Sequence, residues 1–173
     1  MSVLLMVDTQ RNMLLPPSPV PSAEAVGKAI AQVLAQARES GAQVIHIRNT
    51  GGAGDPDEPG TDGWELAYPV ADGEHVVDKP ECDAFVGTDL ATLIPSGASI
   101  VVVGMQSEYC VRSTTLGALS RNHPVTVVHG AHATYPADRA ATQISTEIEA
   151  ELSKAGAIVL DLDTVRFERK LTA

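Results

Sequence analysis

Six short aliphatic runs, separated by segments of helical periodicity, constrain this chain most strongly. The runs occupy residues 3–7, 44–47, 76–77, 100–103, 125–128 and 158–160. They are rich in Val and Ile and do not alternate with polar residues, as expected of strands covered on both faces. Between them, residues 22–40 place Val26, Ile30, Val33, Leu34 and Ala37 at helical spacing and stop at Gly41. Further helices are predicted over 88–94, 108–120 and 138–155. The alternation predicts an α/β fold with three α-β-α layers around a mainly parallel, Rossmann-like sheet of about six strands. A length of 173 residues suits one domain spanning 1–173.

Two segments exceed the usual connection length. Residues 9–21 contain four prolines, and residues 49–74 are rich in Gly, Asp and Pro. Loops of this length in a compact domain are commonly functional. Both leave the carboxyl ends of strands, where α/β sheets bind their ligands, so both are expected to wall a pocket.

Composition narrows the partners. Aromatics make up 3% of the chain and its net charge is −10. The first argues against a base-stacking platform, and the second repels phosphate backbones and anionic lipid. A small-molecule substrate is therefore expected, with neither nucleic acid nor membrane as partner. No apolar run approaches the ~20 residues of a membrane span. The opening residues, which run into Asp8, read as a buried strand and not a signal peptide. A cytoplasmic location is expected, with Cys82 and Cys110 reduced.

The segment Val103-Gly104-Met105-Gln106-Ser107-Glu108-Tyr109-Cys110 reads as strand, tight turn and helix. Ser107 is predicted to cap that helix. Cys110 then falls in the first turn, where free N–H groups favour a thiolate. Such a cysteine is either a nucleophile or one of the many small buried hydrophobes. Asp8 closes the first strand and Lys79 the third, on the same rim as Cys110. A carboxylate beside a thiol can take its proton, and an ammonium can hold the resulting anion. Taken singly, Asp8 also reads as a loop cap and Lys79 as a solvated charge.

Five ordered motifs resolve the ambiguity by resemblance. Asp8-Thr9-Gln10 with Asn12, Gly60-Thr61-Asp62-Gly63-Trp64-Glu65-Leu66, Asp78-Lys79-Pro80 with Phe85-Val86-Gly87-Thr88-Asp89-Leu90, Gly104 to Val111, and Ala131-His132-Ala133-Thr134 are similar to those of the isochorismatase-like cysteine hydrolases. That superfamily includes nicotinamidases and N-carbamoyl-amide hydrolases. The resemblance implies a catalytic triad of Asp8, Lys79 and Cys110. It also implies a cis Met105–Gln106 peptide, with the backbone N–H groups of Gln106 and Cys110 forming an oxyanion hole. The implied reaction is cleavage of a C–N bond in a small amide, ureide or N-carbamoyl compound through a thioester. Relatives usually assemble, so a homodimer or homotetramer is implied.

The sequence departs from its nicotinamidase relatives. These hold a divalent metal through an Asp-x-His pair after the second strand, whereas this chain has His46-Ile47-Arg48-Asn49 and no such pair. No metal and no other cofactor are therefore expected. His46 and His123 read as structural. His129 and His132 follow the fifth strand, where His132 is a candidate for touching substrate. Relatives commonly carry Asp at the position of Gly130. Trp64, Phe85 and Tyr109 are candidate pocket residues, with core packing or an oligomer contact as their other reading. Nicotinamidase or isochorismatase-type hydrolysis is the competing activity. A non-catalytic ligand-binding or redox-responsive protein, with Cys110 merely oxidisable, is the competing class.

Overall fold

A computed structural model describes residues 1–168; residues 169–173, the end of the predicted domain, lie outside the described residues. The strands are β1 (Ser2–Val7), β2 (Gln43–Asn49), β3 (His75–Lys79), β4 (Ser99–Met105), β5 (Val125–Ala133) and β6 (Ile158–Leu160). The helices are α1 (Arg11–Leu14), α2 (Ala23–Ser40), α3 (Leu90–Leu93), α4 (Arg112–Ser120) and α5 (Ala141–Lys154). The six strands form one sheet in the order β3-β2-β1-β4-β5-β6, and every pairing is parallel. The expected α/β sandwich is therefore the observed one.

β1 shows why its run does not alternate. Val3, Leu5 and Val7 enter the core beneath α3, α4 and α5, while Leu4 and Met6 enter the core beneath α2. Both faces of the strand are covered, so its positions from Val3 to Val7 are all apolar. α2 buries Val26, Ile30, Val33, Leu34 and Ala37 along one stripe and ends at Gly41, whose φ of 71° terminates the helix in the left-handed region. Among the described residues, no helix is long and apolar enough to cross a membrane.

The differences from expectation cluster at element ends. The predicted helix over 88–94 is a single turn, and that over 138–155 starts at Ala141. A short helix, α1, lies inside the proline-rich loop. The segment expected as helix 108–120 opens with a π-helical turn, Ser107–Val111, before α4 begins. Ser107 is not its cap: Gln106 holds that position and no side chain caps the turn. The Ser107 hydroxyl bonds instead to His132 Nδ1 at 2.8 Å and Ser145 Oγ at 2.9 Å. A buried imidazole and a neighbouring hydroxyl outcompete the local backbone for it. The peptides Pro16–Pro17 and Met105–Gln106 are cis.

The two long loops pair with each other. Gln10 bridges Leu66, Arg11 N–H donates to Glu65 O at 2.8 Å and Ala67 N–H to Thr9 O at 2.9 Å. The far end of the second loop is latched by Glu74, whose carboxylate accepts from Arg38, from His46 at 2.9 Å and from the Ala71 N–H. Burial works against ionisation of Glu74, but these donors outweigh it and hold its pKa at about 2 instead of 4.5.

Two predictions follow from this framework. Glu74 is depressed on folding, so its contribution is complete above pH ~4.5 and disappears as pH falls through about 2. Glu74→Gln is expected to cost about 2–3 kcal/mol at neutral pH and little near pH 2, as read by urea melts at both pH values. At Gly104, in β4, φ is 124° and an added Cβ would lie 1.9 Å from Val7 O. Gly104→Ala is expected to cost about 3 kcal/mol or more in the same melts.

Candidate active site

β1 and β4 are neighbours whose crossovers run to opposite sides of the sheet, and the crevice of an α/β fold opens at such a switch. Asp8 follows β1 at this point, with φ 47° and its N–H donated to Ile47 O at 3.0 Å. The π turn carrying Cys110 follows β4. Lys79 ends β3, two strands from β1, so its side chain must cross the end of β2, over a spacing of about 4.7–4.9 Å per strand. A long, flexible amine can make that crossing; a shorter cation could not.

The three groups meet. Lys79 Nζ lies 3.0 Å from Asp8 Oδ2 and 3.2 Å from Cys110 Sγ. Its third proton goes to Asn49 Oδ1 at 3.0 Å. Lys79 is fully buried and Asp8 is 2% exposed. Asp8 Oδ1 has no hydrogen-bond partner among the described residues. Above the group opens a cavity of about 740 Å³ whose floor includes Asp8, Cys110 and Gln106. Loop residues Met13, Pro16, Asp57 and Asp62 contribute its walls, so both long loops wall the pocket.

Electrostatics here differ from the expected thiolate. Burial pushes the Cys110 thiol well above its usual range, the Asp8 charge adds to that, and Lys79 only partly opposes it. Cys110 sits on a π turn beside a buried carboxylate, not at the open end of an α-helix, and these surroundings oppose the thiolate. Burial also raises Asp8 above the ordinary carboxylate range, against the pull of Lys79. For Lys79, burial disfavours the charge, but Asp8 and Cys110 outweigh it and raise its pKa. Acid and thiol interact strongly, so their protons belong to the pair.

The other candidates divide. Tyr109 is 54% exposed and stands in the cavity wall. Phe85 does not; it lies in the core with Val111 and Ala118, under the Arg121 guanidinium. Trp64 is covered by Arg48, 3.4 Å from the ring centroid, and also lies outside the wall. His132 was expected near substrate because it follows the fifth aliphatic run. β5 continues through Ala133, and His132 packs against the Ser107–Val111 turn, held by Ser107 and by Glu149 at 3.0 Å. His129 pairs with Glu149 on the exposed side. His46 and His123 are buried and bonded to Glu74 and to Ala98 O.

Asn49 and Asp57 also belong to the site, and so does Gln10 of the first motif. Asn49 ends β2 in register with Lys79, so the strand-end argument that found Asp8 reaches it equally. Gln10 anchors it by donating to Asn49 O at 3.2 Å and accepting from Asn49 N–H at 2.8 Å. Asp57 lies deep in a loop and carries no periodic signal.

The donor set does not suit a transition metal. No imidazole lines the cavity among the described residues, and the Asn49 amide and Asp57 carboxylate are spent on each other at 2.7 Å. No group of three or more His, Cys, Asp or Glu converges among the described residues.

Comparison with known proteins places this geometry in context. The chain is 41% identical over 158 residues to a streptothricin hydrolase of Streptomyces noursei, covering 89% of this chain and 57% of that protein. It thus spans less than two-thirds of the length of that relative. An isochorismatase structure from Pseudomonas putida KT2440 superposes with a TM-score of 0.86 at 27% identity, over 95% of this chain and 89% of the other. An N-carbamoylsarcosine amidase from Thermoplasma acidophilum shares the fold, with a TM-score of 0.82 at 24% identity over 96% and 99% of the two chains. The family model of the isochorismatase domain matches residues 2–164. Matched over nearly its whole length, and with the strand-end geometry to go with it, the chain belongs to the isochorismatase family of hydrolases.

Proposed function

We propose that the protein is a cysteine amidohydrolase that opens a C–N bond of a small amide, ureide or N-carbamoyl compound without a metal. The observation that carries this reading is the buried Lys79 ammonium, within 3.0 Å of Asp8 and 3.2 Å of Cys110 on the cavity floor. The 41% relative, named a hydrolase, supports it. The donor set of the cavity supports the metal-free form.

The chemistry follows from the atoms present. Cys110 Sγ attacks the substrate carbonyl carbon as its proton passes to Asp8, whose Oδ1 is unpaired and whose basicity burial has raised. The carbonyl oxygen gains the charge, and the N–H groups of Gln106 and Cys110 receive it. No described residue accepts the Gln106 N–H. The C–N bond then breaks, the departing nitrogen takes the proton from Asp8, and an acyl-thioester remains. Water gives its proton to Asp8 and attacks the thioester carbon. The C–S bond breaks, the sulfur takes that proton back from Asp8, and the acid leaves. Lys79 stays charged throughout, holding Asp8 and the sulfur in place.

An amide panel with ammonia and amine readouts, including streptothricin, tests the reading. On any substrate so found, Cys110→Ala and Asp8→Asn are each expected to lose about 10⁴-fold or more in kcat. Intact-mass spectrometry is expected to catch an acyl adduct on Cys110. Full activity in Cys110→Ala would overturn the covalent route. The pH profile has a definite sign. Asp8 must be ionised to act, and its pKa is raised above the ordinary 3.8. The acidic limb of kcat/KM is therefore expected to lie above that value, with activity lost as pH falls through it.

A further inference from the structure

The mechanism above leaves Asp57 unused, although the structure invests heavily in it. Asp57 belongs to the long loop, yet it is 7% exposed and reaches the cavity wall. Its Oδ2 accepts from Asn49 Nδ2 at 2.7 Å, and Asn49 Oδ1 accepts from Lys79 Nζ at 3.0 Å. We propose that Asp57 and Asn49 form a positioning relay that fixes the Lys79 ammonium and thereby sets the reactivity of Cys110. The inference deepens the amidohydrolase reading and rests on it.

Direction comes from donor and acceptor chemistry. A side-chain amide has one accepting end and one donating end, whereas a carboxylate can only accept. Asp57 therefore draws Nδ2 toward itself and turns Oδ1 toward Lys79. The Asn49 backbone cannot drift, because Gln10 holds both its N–H and its carbonyl. Lys79 has three protons and, in a fully buried position, needs three acceptors; Asp8, Cys110 and Asn49 supply them. Without the third, the ammonium keeps an unspent proton in a buried position and is no longer fixed against the sulfur.

The chain also makes room for the carboxylate. A Cβ added at Gly51 would sit 2.3 Å from Asp57 Oδ1, and the Gly51 N–H donates to Asp57 O at 3.0 Å. The φ of Gly51 is not in the left-handed region, so its small size and not its backbone freedom is what the site uses. This gives a variant that keeps every polar group and displaces chiefly Asp57, with Asp55 Cβ the next atom met at 3.0 Å.

Alkylation of Cys110 by iodoacetamide at pH 8 tests the relay without requiring a substrate. The reaction is followed peptide by peptide, so that Cys82 is scored separately. Asp57→Asn, Asn49→Ala and Gly51→Ala are each expected to slow it about fivefold to tenfold. Because Asp57 acts through Asn49, the double variant Asn49→Ala/Asp57→Asn is expected to be no slower than Asn49→Ala alone. If Asp57 acted only by its charge, its removal would ease thiol ionisation and speed alkylation. A faster Asp57→Asn, or additive slowing in the double variant, overturns the relay. Should Asn49→Ala fail to fold, slowing in Gly51→Ala supports the relay and an unchanged rate overturns it. Variants that lose hydrolysis at unchanged alkylation overturn the relay and leave the hydrolase standing. The expected alkylation pattern, in a protein that hydrolyses no amide, keeps the relay and sinks the amidohydrolase reading.

Discussion

A fully buried ammonium is the constraint on which the rest of this structure turns. Taking an amine out of water costs several kcal/mol unless partners recover it, and Lys79 recovers it through Asp8, Cys110 and Asn49. Such an arrangement is a poor way to stabilise a fold, since a well-packed apolar residue would do as well. It is an effective way to bring groups of different acidity into contact from three strand ends and hold them there. The sheet order, the loops and the close approaches of glycine can each be understood as serving that contact.

The sheet supplies the coarse placement. Because β1 and β4 lie side by side at the centre, their carboxyl ends deliver Asp8 and the Cys110 turn to one point. Gly104 lets β4 come against Val7 where any Cβ would strike its carbonyl. Lys79 and Asn49 are register partners on β3 and β2, so one step of pairing sets both. A slip of β3 by one residue would send Lys79 to the opposite face, away from Asn49.

Much of this was legible in residue order because it depends on period and direction. Aliphatic runs covered on both faces specify a parallel sheet, and parallel strands share a carboxyl rim, so residue order alone assigns Asp8, Lys79 and Cys110 to one edge of the sheet. The same rule reaches Asn49. What stayed hidden depends on packing across long sequence separations. Ser107 looked like a helix cap until a buried imidazole 25 residues later proved the better partner. Phe85 and Trp64 looked like pocket walls because they lie in the motifs, but the core and an arginine claim them. Asp57 reaches Asn49 only through the fold of a loop with no repeating pattern.

A cysteine at an open helix end is a thiolate waiting for an electrophile, and is prey to any oxidant that reaches it. Here burial and the Asp8 charge oppose ionisation of the sulfur, while burial also raises Asp8 above an ordinary carboxylate. In the proposed reaction the proton moves when a carbonyl carbon is within reach, with Lys79 already placed 3.2 Å from the sulfur to hold it as charge develops. On that proposal nucleophilicity is stored in the pair and not in the thiol, so the reactive anion forms only as the new C–S bond does. That division requires Lys79 to remain charged in a buried site, and the adjacent carboxylate and the amide of Asn49 are what keep it so.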